Sequence, residues 1–222
     1  MAQVRDNIIL LQSYYKFLLL GKYIEHSIQK GIFAKPLGKV KVKTGTKSTF
    51  DINTKYVEKI LQGIATHPDQ KNIFGYLVEM SAIKGIVSVT RELIENNIAF
   101  QKFLQKRLGK SFFDFDQIIR LIRNIFAHSL TSNLVIKTDD FIKQRDYLIH
   151  EKTTDLHFLI NYSKQFKEWK GSADYQIDIA IDFKNIKEGQ SFFDHISMHQ
   201  CYLLCEFCYN VSEIFRKEKK IV

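Results

Sequence analysis

Three polar side chains that could take part in catalysis lie near the end of an amphipathic stretch of the chain: Arg123, Asn124 and His128. A helix rotates about 100° per residue, so Asn124 and His128 lie one above the other with Arg123 beside them. The set combines a permanent cation, a hydrogen-bonding amide and a proton-transferring imidazole. These groups suit metal-free cleavage of RNA, because the imidazole can deprotonate a ribose 2′-hydroxyl while the guanidinium stabilises charge on the phosphate. We therefore predict that the three residues are catalytic.

The spacing of Arg123 and His128 is weak evidence by itself. With seven arginines and seven histidines in the chain, such a pair is expected by chance about 0.2 times. A second copy does occur, at Arg145 and His150. The first copy closes a strongly amphipathic helical pattern, whereas the second lies in a polar stretch with a weaker helical pattern between two extended-looking segments. We therefore predict a working site at the first copy only.

An amphipathic helix over about residues 114–130 must position these groups. Asp114 is placed to cap its start, and Asp116 suits the positive end of the helix dipole. The apolar face that would pack against the rest of the protein is formed by Phe115, Ile118, Ile119, Ile122, Ile125 and Phe126.

Residues 123–128, Arg-Asn-Ile-Phe-Ala-His, resemble the signature of the HEPN superfamily, small helical domains of many prokaryotic defence and toxin proteins. That signature is an Arg, usually a polar residue, three or slightly more further residues, and a His. The resemblance implies a helical bundle that forms a homodimer with two motifs lining one cleft, and in many members a metal-independent endoribonuclease. By position, Arg123 and His128 match the catalytic pair and Asn124 the polar residue beside it.

The same resemblance implies partners and a biological role. RNA, a second copy of the chain and, as a candidate, a cognate antitoxin are the implied partners, and a toxin or phage-defence effector is the implied role. The expected product carries a 2′,3′-cyclic phosphate. In one subgroup a Tyr two places after the His is modified by a partner nucleotidyltransferase, and here that place is Leu130.

Composition favours one soluble domain over residues 1–222 with a net charge of +9. Such a charge attracts polyanions, RNA in particular. No signal peptide and no membrane-spanning stretch is predicted. The three cysteines are confined to the C-terminal helix, which favours a reducing cytoplasm over a disulfide framework. We expect a cytoplasmic protein that does not use a membrane.

A lysine-rich segment, 38–47, follows a predicted helix over residues 5–29. Lys and Val alternate in it with period two, which predicts a short strand with one cationic face. Lys39, Lys41 and Lys43 are therefore candidate RNA-binding residues, since phosphate contacts require charge. The same lysines could instead protect a strand edge from pairing.

The rest of the chain predicts a mainly α protein, an HEPN-like helical bundle with a small antiparallel sheet between the motif helix and the C-terminal helix. Glu79 could orient a catalytic His, although an acid at such a position is more often an exposed residue or a partner for a core Lys. The predicted helices cover about 53–65, 69–108 with a bend near Gly85, and 192–217. A predicted β insertion over about 134–184 contains extended segments at 134–137, 156–162 and 175–183.

No metal site and no cofactor are predicted. Asp178 and Asp182 face away from Ile177, Ile179 and Ile181 on a predicted strand. Acids in this pattern usually form the exposed face of a sheet and bind no metal. Cys201, Cys205 and Cys208 have the spacing of an iron–sulfur loop, but they also lie on one helical face near the end of the chain, which favours a core stripe.

Two alternatives to the nuclease stay open. In the first, the same basic cleft binds RNA, a nucleotide or a partner protein without cleaving anything, because one fold carries many activities. In the second, Arg123 and His128 are structural, with His128 capping the helix C-terminus; both side chains would then be buried and paired only with backbone.

Overall fold

The computed structural model describes residues 2–30, 40–43, 49–66, 68–128, 134–161 and 176–221. The described chain is mainly helical with two short antiparallel strand pairs, which confirms the predicted fold class at this coarse level. The helices are α1 (Ala2–Gln29), α2 (Thr54–Thr66), α3 (Pro68–Asn96), α4 (Ile98–Leu108), α5 (Ser111–His128), α6 (Thr138–His150) and α7 (Met198–Glu218). The strands are β1 (Val40–Lys43), β2 (Thr49–Ile52), β3 (Asp155–Asn161) and β4 (Gln176–Asp182).

The chain divides into two compact units, one of residues 1–16 with 81–222 and the other of residues 17–80. The single domain predicted over residues 1–222 stays a prediction. None of the described helices has the length and apolarity that a bilayer crossing requires.

In the larger unit, the core that holds the motif helix forms where α5, α7 and the β3–β4 pair meet. Phe158 on β3 lies opposite Ile179 on β4, and side chains along both strands alternate between buried and exposed. Phe115 of α5 and Phe207 of α7 pack on Phe158, with ring centroids 5.2 and 5.7 Å away. Burial of each such ring contributes about 2–3 kcal/mol. This aromatic cluster anchors α5, the helix that carries the motif.

The motif helix begins earlier than predicted. Helix α5 starts at Ser111, so Asp114 lies inside its first turn and the prediction that Asp114 caps it is wrong. Gly109, at φ +57°, ends α4 two residues before, so the chain enters the next helix at once.

Partial burial raises the pKa of Asp114, and a hydrogen bond from the backbone N–H of His157 opposes this rise.

The long helix predicted over 69–108 is two helices. Asn97 lies between them, and its side chain accepts a hydrogen bond from the N–H of Phe100 at 2.7 Å as the N-cap of α4. Gly85 lies inside α3, and the predicted bend near it stays a prediction. Its missing side chain leaves room for the ring of Tyr14, since a Cβ there would lie 2.5 Å from ring atoms.

The predicted β insertion over 134–184 contains a helix. Helix α6 covers Thr138–His150, so this polar stretch with its weak helical pattern forms a helix that the sequence analysis does not predict. Its buried face includes Asp140 and Gln144 beside Phe141 and Leu148, and polar residues at buried positions hide a helical pattern from hydrophobic periodicity. Of the segment 134–137, Val135 forms an isolated β-bridge with Ser191.

The C-terminal helix begins later than predicted, because residues 192–194 form a separate 3₁₀ turn. Ser197 caps α7, with its Oγ accepting from the N–H of Gln200 at 3.2 Å. The cysteine stripe is confirmed as core, since Cys201, Cys205 and Cys208 are all buried. Burial raises the pKa of Cys201 and of Cys208 to about 12.

The smaller unit contains the predicted lysine-rich strand. β1 pairs antiparallel with β2, with Lys41 opposite Asp51. Lys22 forms salt bridges with Glu25 at 2.5 Å and with Glu79 at 2.9 Å. Glu79 is thus the partner of a lysine, one of the roles predicted for it.

Candidate active site

The C-terminal end of α5 carries the three residues predicted to be catalytic. Arg123 is exposed, and its Nη1 donates to Asn124 Oδ1 at 3.4 Å. Asn124 Nδ2 donates to the backbone carbonyl of Asp140 at 3.1 Å, and His128 Nδ1 lies 2.6 Å from Asp140 Oδ1. The structure therefore brings the predicted residues together through a fourth one, Asp140 of α6.

His128 and Asp140 form a pair of unequal exposure. The imidazole is 50% exposed, whereas the carboxyl side chain is 0% exposed. An ionised carboxylate only accepts hydrogen bonds, so a neutral imidazole must donate Nδ1–H to it and keep its lone pair on Nε2. This tautomer is the one that a general base requires when a buried acid orients it.

The start of α6 holds Asp140 in place. Asp140 Oδ2 accepts from the backbone N–H of Lys137 at 2.8 Å, and the N–H of Asp140 donates to the Lys137 carbonyl at 3.0 Å. A carboxylate in the first turn also interacts favourably with the helix dipole. Both carboxylate oxygens are thus occupied, one by the helix start and one by His128, which fixes the direction in which the acid points.

The C-terminus of α5 is satisfied by a different side chain, Lys137. Its Nζ donates to the His128 carbonyl at 3.2 Å, as a cation near a helix C-terminus does. The structural alternative assigned this cap to the His128 imidazole and required both motif side chains to be buried. Instead, Arg123 is exposed and the imidazole is half exposed and paired with a side chain, so both groups can be reached by a ligand.

A cleft of about 180 Å³ lies next to Asp140 and Asn124, and His128 is not among the residues that line it. Asn124, Asp140 and Gln144 line it, together with four cations and two further carboxylates: Arg91, Arg120, Arg123, Lys143, Glu95 and Asp139. Within the described ranges, Arg120, Arg123 and Lys143 form no salt bridge. Guanidinium and ammonium groups favour binding of phosphate, and here they share the cleft with Glu95, Asp139 and Asp140.

A polar network joins Arg91 and Gln144, which line the cleft, to Asp116 and Gln117. Arg91 forms a salt bridge with Asp116 and another with Glu95 at 2.7 Å. Gln117 Nε2 donates to Asp116 Oδ2 at 3.2 Å, and Gln144 Nε2 donates to Gln117 Oε1 at 3.0 Å and to the Gln117 carbonyl at 2.7 Å. Burial raises the pKa of Asp116, and the charges of Arg91 and Arg120 oppose the rise. The network connects α3, α5 and α6 and so fixes the walls of the cleft.

The candidate RNA-binding lysines are not part of this site in the described structure. Lys39 lies outside the described residues. Lys41 is exposed on β1, and Lys43 ends the same strand. Both belong to residues 17–80, whereas the cleft belongs to the larger unit. Their role in RNA binding stays a prediction.

The second Arg–His copy has its own separate contacts. The Arg145 guanidinium stacks over the Phe141 ring at 5.1 Å. His150 is highly exposed, and its Nδ1 lies 3.2 Å from Glu151 Oε1. Neither contact joins the two residues into one site.

Sequence reasoning missed Asp140, the residue that orients the imidazole. Glu79, the acid that the sequence offers for that role, pairs with Lys22 instead. A signal for Asp140 was present, since Asp139 and Asp140 follow Thr138 directly and acids concentrate in first helical turns. Reading that signal required recognising α6 as a helix. The network residues Arg91, Gln117 and Gln144 gave no comparable signal.

Comparison of the chain with protein-family models, with curated proteins and with solved structures gives no match.

Proposed function

We propose that this protein is a metal-independent endoribonuclease of the HEPN type, with His128 as general base. The observation that carries the proposal is the 2.6 Å contact between His128 Nδ1 and the buried carboxylate of Asp140. It supports the proposal because it leaves a half-exposed imidazole with its lone pair on Nε2, on the same helix as the exposed Arg123.

The proposed reaction is an internal transesterification. His128 Nε2 removes the proton from a ribose 2′-hydroxyl, the 2′-oxygen forms a bond to phosphorus, and the bond from phosphorus to the 5′-oxygen breaks. The 5′-oxygen leaves with a proton from water, and the imidazolium returns its proton to solvent. The products are a 2′,3′-cyclic phosphate and a 5′-hydroxyl, so atoms and charges balance without a metal or cofactor.

Arg123 and Asn124 have different roles in this proposal. Arg123 pairs with the phosphate oxygens as charge develops on them. Asn124 is a positioning residue, because its amide binds the backbone of Asp140 at 3.1 Å and thereby connects the two helices that hold the imidazole. Arg120 and Lys143, which line the same cleft, bind flanking phosphates.

The wider role follows from the HEPN-like motif. We propose that the protein acts in the cytoplasm as a toxin or phage-defence effector, that it forms a homodimer with two motifs facing one cleft, and that a cognate antitoxin restrains it.

The test is cleavage of single-stranded RNA by purified protein in EDTA. We expect the parent protein to cleave, and His128→Ala and Arg123→Ala to lose at least about 100-fold in rate. Addition of EDTA should leave the parent rate unchanged.

His157→Ala and Arg145→Ala are matched controls. His157 is another half-exposed imidazole paired with an acid, since its Nε2 lies 2.9 Å from Asp178 Oδ1. Both controls should cleave at the parent rate. Equal cleavage by His128→Ala and the parent would refute the proposal, and RNA binding without cleavage by the parent would favour the non-catalytic binding module.

A further inference from the structure

The ends of α4 and α7 carry a concentration of cations that the proposed reaction does not use. Residues 102–110 and 213–220, which we call the α4–α7 patch, contain eight cations and two acids. These are Lys102, Lys106, Arg107, Lys110, Arg216, Lys217, Lys219 and Lys220, with Glu213 and Glu218. Eight cations less two acids give the patch a net charge of +6, whereas the whole chain has +9.

Side-chain contacts hold the two parts of the patch together. Arg107 Nη2 donates to Glu218 Oε1, and the Arg107 guanidinium lies over the Phe103 ring, 5.6 Å from its centroid. The Phe103 ring in turn packs on Phe215 of α7, with ring centroids 5.4 Å apart. Both helices belong to the larger unit. The cations of α4 and those of α7 therefore lie beside one another.

The two acids of the patch are already paired within it. Glu218 forms a salt bridge with Arg107, and Glu213 forms one with Arg216 at 3.3 Å and another with Lys217 at 4.0 Å. The remaining lysines are all exposed and form no salt bridge in the part of the chain that the structure describes: Lys102, Lys106, Lys110, Lys219 and Lys220. These five ammonium groups are available to an external anion.

The helix dipole accounts for only a small part of this charge. It is equivalent to about half an elementary charge at a helix end, so the two C-termini together attract about one cation. Lys102 lies before the last turn of α4, and like charges four residues apart on a helix, as in Lys102 and Lys106, repel each other. The excess charge therefore destabilises the free protein slightly, and a bound polyanion removes that repulsion.

We propose that the α4–α7 patch binds the phosphate backbone of RNA without regard to base sequence. Its unpaired cations are all lysines, which act as compact point charges, and phosphate contacts carry no sequence information. A polymer of phosphates can engage cations that are spread over two helix ends, whereas one free phosphate engages only a few of them. The proposal rests on the proposed function in taking RNA as the ligand.

This surface is distinct from the candidate active site. Helix α5 begins directly after Lys110 and carries Arg123 and His128 near its other end. Its 18 residues correspond to about 27 Å along the helix axis. The α4–α7 patch would therefore hold a part of the RNA remote from the scissile phosphate.

Binding over a series of salt concentrations tests the proposal independently of catalysis. The protein is the full chain with His128→Ala, and the probe is a fluorescent single-stranded RNA of about 20 nucleotides. Lys102→Gln, Lys106→Gln and Lys110→Gln are added together. Each phosphate contact contributes about 0.7 to the slope of log affinity against log salt. Loss of three contacts should lower that slope by about 2 and weaken binding about 100-fold near 0.1 M salt.

A matched control removes the same charge elsewhere in the larger unit. Lys16→Gln, Lys152→Gln and Lys184→Gln replace three exposed lysines outside the patch and outside the cleft. Charges further away than about 10 Å are largely screened at 0.1 M salt, so this variant should bind RNA within about threefold of its parent. Both triple variants should unfold at the same urea concentration as their parent, because exposed substitutions change stability little.

A second variant, Lys219→Gln with Lys220→Gln, changes only residues that follow the end of α7. It should lower the salt slope by about 1.4, so the test does not depend on the folding of the α4 variant.

Equal RNA affinity of the patch variants and the control would overturn the proposal even if the parent cleaves RNA, and so would absence of RNA binding. Patch-dependent binding by a protein whose parent cleaves nothing would support the proposal while the nuclease function fails. Vesicles containing phosphatidylserine are a further probe. Patch-dependent binding of these vesicles, with RNA affinity the same in the patch variants and the control, would overturn the proposal and assign the patch to an anionic membrane surface.

Discussion

Asp140→Asn is the substitution that separates catalysis from architecture at this site. The new side chain has the same size. Its Oδ1 can still accept from the backbone N–H of Lys137, which in the parent lies 2.8 Å from Asp140 Oδ2. Its NH₂ group then faces His128 Nδ1, which is 2.6 Å from the acid in the parent. An amide donor at that place forces Nδ1 to accept, so the imidazole proton moves to Nε2 and the base is lost.

The magnitude of this effect follows from the tautomer change. We expect the rate of RNA cleavage to fall roughly 100- to 10,000-fold, equivalent to about 3–5 kcal/mol of transition-state stabilisation. The free energy of unfolding should fall by only about 1–3 kcal/mol, because one charge-assisted hydrogen bond is replaced by neutral ones. RNA affinity should change little, since the Asp140 side chain is 0% exposed.

Single-turnover cleavage per folded protein is the assay, with urea unfolding to measure stability and ¹⁵N NMR to assign the imidazole tautomer. The parent should show Nδ1–H and the variant Nε2–H. Asp178→Asn makes the same change at the His157 pair and should leave the rate unaltered. A variant at position 140 that cleaves within twofold of the parent would refute the assignment of Asp140 as the residue that orients the base.

Three further predictions concern other groups. Arg123→Lys should lower the rate of RNA cleavage by about 10- to 100-fold, because a single ammonium cannot make the two parallel bonds of a guanidinium to phosphate. Cleavage kinetics measure this change. The reverse substitution, Lys143→Arg, should show no such loss. In the folded protein, Cys201 and Cys208 should resist alkylation by iodoacetamide at pH 8, because burial raises their pKa to about 12 and leaves almost no thiolate. Mass spectrometry should show alkylation only in denaturant. Rapid labelling without denaturant would contradict their burial. Gly85→Ala should lower the free energy of unfolding by about 1–3 kcal/mol in urea titrations, because the new Cβ would lie 2.5 Å from the Tyr14 ring. A Gly→Ala change at an exposed helical position raises stability instead. Such an increase here would contradict the packing of Tyr14 on Gly85.

Hydrophobic periodicity was sufficient to predict the helical class and the motif helix. Ile118, Ile122 and Ile125 lie on one face of α5, and all are buried. Strict alternation in the same way predicted β4, where Ile177 and Ile179 are buried and Asp178 is exposed. Both patterns are local, so the residues themselves carry the information.

The parts of the site that sequence reasoning missed depend on contacts between distant segments. His128 and Asp140 are in different helices, and their pairing depends on how α6 packs against α5. Gln117 and Gln144 occupy buried positions that the hydrophobic pattern assigns to apolar residues, and their hydrogen bonds to each other make burial tolerable. Such pairs become visible only when the fold places them side by side.

The most direct test of the central claim is the chemistry of the RNA end that the protein leaves. A synthetic RNA would be incubated in EDTA with the parent or with His128→Ala, and the 3′ ends identified by mass spectrometry. We expect 2′,3′-cyclic phosphate from the parent, none above background from His128→Ala, and no cleavage where the scissile nucleotide is 2′-deoxy. Cleavage that persists at a 2′-deoxy position, or cyclic phosphate formed equally by His128→Ala, would contradict a general-base role for His128.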